Sequence, residues 1–235
     1  MKQDKPLNYK DYKAKIKSRN DKLIKNLGAV ATTKQIQFEN YKLDIDPSVF
    51  NPEWGEGSEI LSRIKHFFIG DVLEIGTGSG ILSILAAEIA NKVIATDINP
   101  AAISCAEKNI LNCVEDKGKI ELKKGDLFDV FKDEKEKPKF DTIIFNPPFL
   151  NIPNIPADEY TKKTYLDKDY SVLETFLEDA KNFLNKDGCI YICFGGVGDV
   201  GYLNYLVAFY KYEVQILQLS NIKGLCYFVY ELSKG

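Results

Sequence analysis

Residues 74–80 read Glu74-Ile75-Gly76-Thr77-Gly78-Ser79-Gly80, between the apolar run Val72-Leu73 and the apolar stretch Ile81-Leu82-Ser83-Ile84-Leu85-Ala86-Ala87. The short run before the glycines reads as a buried strand and the longer one after them as a helix. Glycines at alternate positions let the chain turn tightly and let a ligand approach the backbone. In open α/β sheets ligands bind at the carboxyl ends of strands, which is where this turn lies. A dinucleotide fingerprint would need glycine at 76, 78 and 81, but position 81 is Ile and the third glycine is Gly80. Glu74 also stands two positions before the first glycine. A pyrophosphate needs bare helix N–H groups and no nearby carboxylate, so Glu74 suits a ligand with a cationic group better.

Strand and helix signals alternate after this turn. KVIATD (92–97) is a strand, and Asn99-Pro100 is an N-cap with proline at the first helical position, opening a helix over 100–113. KIELKK (119–124) and DTIIF (141–145) are strands, and Ser171 with Glu174 forms a capping box for a helix over 172–185. CIYICF (189–194) is a strand, followed by a helix near 199–210. EVQILQL (213–219) and LCYFVYEL (225–232) are joined by only a few residues and should pair antiparallel. The pattern predicts an α/β fold, with a mostly parallel sheet covered on both faces and an antiparallel last strand.

Upstream, Tyr9, Tyr12, Ile16, Leu23 and Leu27 give residues 8–27 the spacing of an amphipathic helix, and 28–33 reads as a linker. Ile36 and Phe38, then Tyr41, Leu43 and Ile45, alternate around Glu39-Asn40 in a hairpin pattern. Ser58 reads as the N-cap of a helix over 59–68. The expected division is a helix-and-hairpin extension over 1–45 and the main domain over 46–235.

Bulk properties limit the alternatives. A chain of 235 residues with 45% hydrophobic content fits one sizeable α/β domain plus a modest extension. No stretch is long and apolar enough for a membrane span, and the N-terminus lacks the apolar region of a secretory signal. Five cysteines at irregular spacing, none in a Cys-x-x-Cys pair, imply reduced thiols and a cytoplasmic protein. No metal is expected, because the one histidine, His66, reads as a surface residue at a helix end. Residues 1–27 carry nine Lys/Arg against three Asp, whereas the rest of the chain carries 22 basic and 31 acidic residues. The basic arm is a handle for nucleic acid or another acidic partner, or equally a solvated helix face.

Three further stretches carry chemistry. Asp97 ends the second strand, where a carboxylate accepts both ribose hydroxyls of an adenosine, and Ile98 beside it can pack on the adenine face. Gly125-Asp126-Leu127 follows the third strand, so Asp126 either accepts from the adenine amino group or is an ordinary turn residue. Asn146-Pro147-Pro148-Phe149 directly follows DTIIF, and its two prolines stop the strand and fix a rigid loop. An adenosine ligand with a cationic amino group and no phosphate fits Glu74 and Asp97 together, and S-adenosylmethionine (SAM) is such a ligand.

The set EIGTGSG, ATDINP, GDLF and FNPPF resembles the class I SAM-dependent methyltransferases of Rossmann-like fold. Within them it is most similar to N-methyltransferases related to the release-factor glutamine (HemK/PrmC-like) enzymes and to the small-domain RNA methyltransferases, over roughly residues 45–235. The resemblance implies a seven-stranded sheet whose last strand is antiparallel, and SAM as cofactor. It also implies that Glu74, Gly76, Thr77, Gly78 and Gly80 hold the methionine part and Asp97 the ribose. Ile98, Asp126 and Leu127 would border the adenine, and Asn146, beside the cofactor, would with Pro147, Pro148 and Phe149 grip the nitrogen to be methylated. The Asn146 side-chain oxygen and the Pro147 carbonyl can each accept an N–H bond from a planar nitrogen, freeing its lone pair and aiming it at the methyl carbon. The acceptor implied is a protein glutamine or an RNA nucleobase. A small metabolite is an alternative, as is SAM binding without catalysis.

The departures from the family fall on the substrate side. Phe149 stands where the family has Tyr, and NPEWGEGSE (51–59) replaces a Pro-x-Pro-Glu-Thr-Glu loop. Residues 165–170 lack the glycines of the family's G-x-D-G-L stretch, and only about 45 residues precede the core. The segment 151–170 is long enough for a substrate lid. Trp54, Tyr160, Tyr165 and Tyr170 can stack on a ring or pack on the core.

Overall fold

The computed structural model describes residues 17–18, 21, 32–53, 56–150, 159–195, 197–222 and 224–235. The amphipathic segment 8–27 lies outside the described residues except for Lys17, Ser18 and Asp21, which are helical. Most of the linker 28–33 lies outside them as well.

The expected hairpin forms. β1 (Lys34–Phe38) pairs antiparallel with β2 (Tyr41–Ile45), with Ile36 opposite Leu43. Its turn places Glu39 in the left-handed region at φ 47°. Ile36, Phe38, Leu43 and Ile45 all point into the main core, and the side chain of Asn109 accepts from the Asp44 N–H.

The main sheet holds β3 (Asp71–Ile75), β4 (Lys92–Asp97), β5 (Ile120–Lys124), β6 (Phe140–Phe145), β7 (Leu184–Gly195), β8 (Tyr212–Ile222) and β9 (Leu225–Lys234). Their order is β5-β4-β3-β6-β7-β9-β8. β3 to β7 run parallel, while β9 inserts antiparallel between β7 and β8. The last strand is therefore the antiparallel one, as expected.

Side-chain alternation with a period of two splits the core between the sheet's faces. Val72 and Ile144 join the hairpin, α1 (Glu56–Ser62), α2 (Ile81–Ala87) and α3 (Pro100–Cys113) on one face. Leu73, Ile143 and Phe145 join α5 (Ser171–Ala180) and α6 (Val200–Phe209) on the other, α4 (Glu159–Tyr165) lying outside both layers. Burying each such side chain stabilises the fold by about 1.5–3 kcal/mol, which explains why these strands read as near-continuous apolar runs.

Several local expectations are corrected. Ser58 is not an N-cap, because the helix already includes Glu56 and ends at Ser62, with a separate 3-10 turn at Lys65–Phe67. The capping box of Ser171 and Glu174 does not form. Asp167 takes its place, its two carboxylate oxygens accepting from the N–H groups of Val172 (2.9 Å) and Leu173 (3.0 Å). α5 stops at Ala180 rather than 185, because Leu184 is drawn into β7 opposite Phe140. The helix over 100–113 forms as expected, the Asn99 side chain accepting from the Ala101 N–H at 2.9 Å. All five cysteines are free thiols. No helix among the described residues is long and apolar enough to cross a membrane.

Candidate functional site

Parallel strands deliver the loops after β3, β4, β5 and β6 to one edge of the sheet, and a single cleft opens there. Glu74, Gly76, Thr77, Gly78, Asp97, Ile98, Asp126, Leu127, Asn146, Pro147, Pro148 and Phe149 all line it. These residues come from segments up to 75 positions apart in sequence.

The glycine turn takes left-handed conformations at Gly76 (φ 70°) and Gly78 (φ 55°), which only glycine adopts without strain. The turn is tied to β4, with the Thr77 N–H donating to the Thr96 carbonyl at 2.9 Å. Gly80, expected beside the cofactor, is not among the residues that line the cleft. At φ 84°, it faces α3, where an added Cβ would come within 3.1 Å of the Ala106 Cβ. Both its left-handed backbone and the close approach of α3 call for glycine there.

Glu74 is buried beneath the turn. Its Oε2 accepts from the Thr77 hydroxyl at 2.8 Å and from the Ser83 hydroxyl. Burial pushes its carboxyl up to about 7, reinforced by the nearby charge of Asp97 and opposed by the two hydroxyls. Asp97 is also raised by burial, opposed by the backbone N–H groups it accepts. Its Oδ1 accepts from the Asn99 N–H at 2.8 Å and its Oδ2 from the Gly78 N–H at 2.9 Å. The site thus places two carboxyls against a cavity wall with no cation bonded to either among the described residues. That electrostatic arrangement favours an incoming cation.

After β5, the Gly125 N–H donates to the Asp97 carbonyl, and Leu127 sits at φ 43°. Asp126, between them, lines the cleft as Asp97 does. At the end of β6, Phe149 packs on Phe194 with ring centroids 5.4 Å apart. The next residue, Leu150, donates its N–H to the Tyr165 carbonyl and accepts from the Asp167 N–H, both at 3.2 Å. This short ladder ties the end of α4 and the 165–167 segment to the chain after Phe149, where Leu150 and Tyr165 line the cleft.

Of the aromatic candidates, Tyr165 lines the cleft and packs on Phe50 at 5.5 Å. Its buried hydroxyl has no hydrogen-bond partner among the described residues, although the Asn51 backbone lies beside it, and burial raises its pKa. Tyr170 is structural, its hydroxyl accepting from the Asp199 N–H at 2.7 Å. Tyr160 is exposed, Trp54 and residues 151–158 lie outside the described residues, and His66 sits in the exposed 3-10 turn. Sequence reasoning missed Phe50, Gly57 and Ser83. Ser83 alone had a signal, standing one helical turn after Gly80 on the side of α2 that faces Glu74.

This constellation defines a class, and comparison with known proteins names it. The sequence profile of the methyltransferase small domain family matches residues 40–197, and the chain belongs to that family. It is a SAM-dependent methyltransferase. A Methanocaldococcus jannaschii protein, provisionally named a protein N5-glutamine methyltransferase, is 34% identical over 67% of this chain and 77% of its own length. A ribosomal protein L11 methyltransferase of Caldicellulosiruptor bescii is 33% identical over 66% of this chain, which spans only 41% of that relative. A crystal structure of the M. jannaschii tRNA m1G37 methyltransferase shares the fold, with a TM-score of 0.58 and 24% identity over 87% of this chain and 58% of that one.

Proposed function

We propose that this enzyme transfers the SAM methyl group to the planar amide nitrogen of a protein glutamine. The observation that carries the reading is that Asn146, Pro147, Pro148 and Phe149 line the same cleft as the glycine turn, Asp97 and Asp126. SAM would lie along the strand ends, its ammonium toward Glu74, its ribose hydroxyls on Asp97 and its adenine between Ile98 and Asp126. Gly76, Thr77, Gly78 and Leu127 would complete that wall. SAM would supply the activated methyl group and leave as S-adenosylhomocysteine, and the methylated nitrogen would give up one N–H proton to water.

At the other end Asn146 and the Pro147 carbonyl would accept the two N–H bonds of the acceptor amide. An amide lone pair is delocalised and weakly nucleophilic. Two acceptors that draw the N–H groups out of plane localise it, and the rigid Pro-Pro segment fixes the angle of attack. Phe149 offers a flat apolar face to the amide. The glutamine acceptor follows the name of the M. jannaschii relative, of which this chain covers most of the length.

The test is methyl transfer from radiolabelled SAM into a cell extract, sorted by protease and nuclease sensitivity. Protease-sensitive label that hydrolysis returns as methylamine supports the glutamine reading. Label confined to RNA or to small molecules would refute it.

A further inference from the structure

Gly57 is a glycine inside helix α1, where glycine weakens a helix by up to ~1 kcal/mol relative to alanine. Its φ is not positive, so the backbone conformation does not demand it. Space does. A Cβ built at Gly57 would lie 2.2 Å from Asn146 Oδ1, 2.8 Å from its Cγ and 2.9 Å from its Nδ2. Its three nearest atoms would thus all belong to one side-chain amide, the one that the proposed function puts against the acceptor nitrogen.

The helix is not free to retreat. Ile60 and Leu61 are fully buried in the core beneath it. Its first residue, Glu56, receives the hydroxyl of the fully buried Tyr227 at 2.9 Å. The Tyr227 ring is in turn pressed against Gly195, where a Cβ would come within 2.5 Å of it. On the other side, Pro147 and Pro148 stiffen the backbone after Asn146. The Asn146 side-chain torsions are the softest element, so any side chain at 57 turns the amide away.

We propose that Gly57 is a positioning residue for methyl transfer, its missing side chain forming the seat that fixes the Asn146 amide; this rests on Asn146 acting on the acceptor nitrogen. Because an amide group can rotate aside at little cost, the substitution Gly57→Ala separates positioning from folding.

The experiment compares Gly57→Ala, Asn146→Ala and the double variant, with radiolabelled SAM and the protein fraction of a cell extract as acceptor. Gly57→Ala should lower turnover on the order of 100-fold, the effect of an ångström-scale misplacement. Its calorimetric affinity for SAM should stay at the wild-type value and its Tm should not fall, an outcome that a merely structural role would not give. In the Asn146→Ala background the substitution should cost nothing further, because the two act as a unit. Wild-type turnover by Gly57→Ala alongside an inactive Asn146→Ala would overturn the seat and leave the proposed function standing. An active Asn146→Ala would overturn the proposed function itself. Should Gly57→Ala fail to fold, the seat requires that the double variant regain stability, and a double variant equally unfolded would refute it.

Discussion

The backbone N–H of Gly78 donates to Oδ2 of Asp97 across 2.9 Å, tying the glycine turn after β3 to the tip of β4. The Asn99 N–H holds the other oxygen. The carboxylate is therefore aimed before any ligand arrives, and each oxygen keeps a lone pair for a ribose hydroxyl. A hydrogen bond to a charged group is worth about 1.5–3 kcal/mol, so losing two should weaken binding about 100-fold or more. Asp97→Ala is expected to show that loss in SAM affinity by calorimetry. An unchanged Kd would remove the ribose role.

If the SAM ammonium lies toward Glu74 as proposed, SAM binding should depend on pH. Burial pushes the Glu74 carboxyl up to about 7 from an ordinary value of 4.5. The SAM ammonium favours the ionised form, so affinity should fall as pH drops from 7 to 5.5, by at most about tenfold per pH unit. An α-amino group stays protonated across that range, its pKa being about 7.7–8.0. The same carboxyl affects stability with a definite sign. The folded state binds the extra proton, so the stabilisation is full below 4.5 and is lost as pH rises through 7. Above 7 a buried charge remains, at a cost on the order of 3 kcal/mol. Glu74→Gln, which can still accept from Thr77 and Ser83, should raise the Tm of the ligand-free protein at pH 8 more than at pH 5. It should also flatten the pH dependence of SAM affinity. A wild-type affinity indifferent to pH between 5.5 and 7 would exclude the ammonium contact.

Much of the fold was legible because its signals are local and periodic. The helix over 100–113 was bounded correctly by Asn99 and Pro100, which set the first turn by themselves. The glycine turn and Asn146-Pro147-Pro148-Phe149 were found by spacing, and the sheet brings them to one cleft because parallel strands place their carboxyl ends together. What was not legible depended on distant partners. Asp167 displaces Ser171 at the start of α5 because a left-handed pair, Asp169 and Tyr170, turns the chain back so that its carboxylate meets the helix N–H groups. Gly57 looked like one loop glycine among several, since its reason lies 89 positions away in Asn146. Sequence spacing shows which backbone conformations a glycine permits, but not what occupies the space its side chain leaves.

Asn146→Ala tests the chemistry apart from cofactor binding. Asn146 lines the cleft together with Phe149, and the proposed function puts it against the acceptor nitrogen rather than the cofactor. Its removal should leave SAM affinity nearly unchanged and reduce turnover by about 100- to 1000-fold, the usual effect of deleting one preorganised polar group aimed at a reacting centre. Asn146→Asp should be nearly as poor, because an ionised carboxylate keeps the acceptor but adds a negative charge to a cleft already lined by Glu74 and Asp97. Substantial turnover by Asn146→Ala would show that the nitrogen is held some other way.

Gly80→Ala distinguishes the third glycine from the first two. Its positive φ strains any side chain, and a Cβ would press on both Cα and Cβ of Ala106 at 3.2 and 3.1 Å. Backbone strain and overpacking together should destabilise the fold by about 1–3 kcal/mol. α3 cannot yield freely, because Ala106 is fully buried and Asn109 on the same helix holds the Ser79 carbonyl. SAM affinity measured well below the lowered Tm should nevertheless stay close to wild type, since Gly80 does not face the cleft. A variant of normal Tm with lost SAM affinity would return Gly80 to the cofactor wall and make the close approach of α2 to α3 incidental.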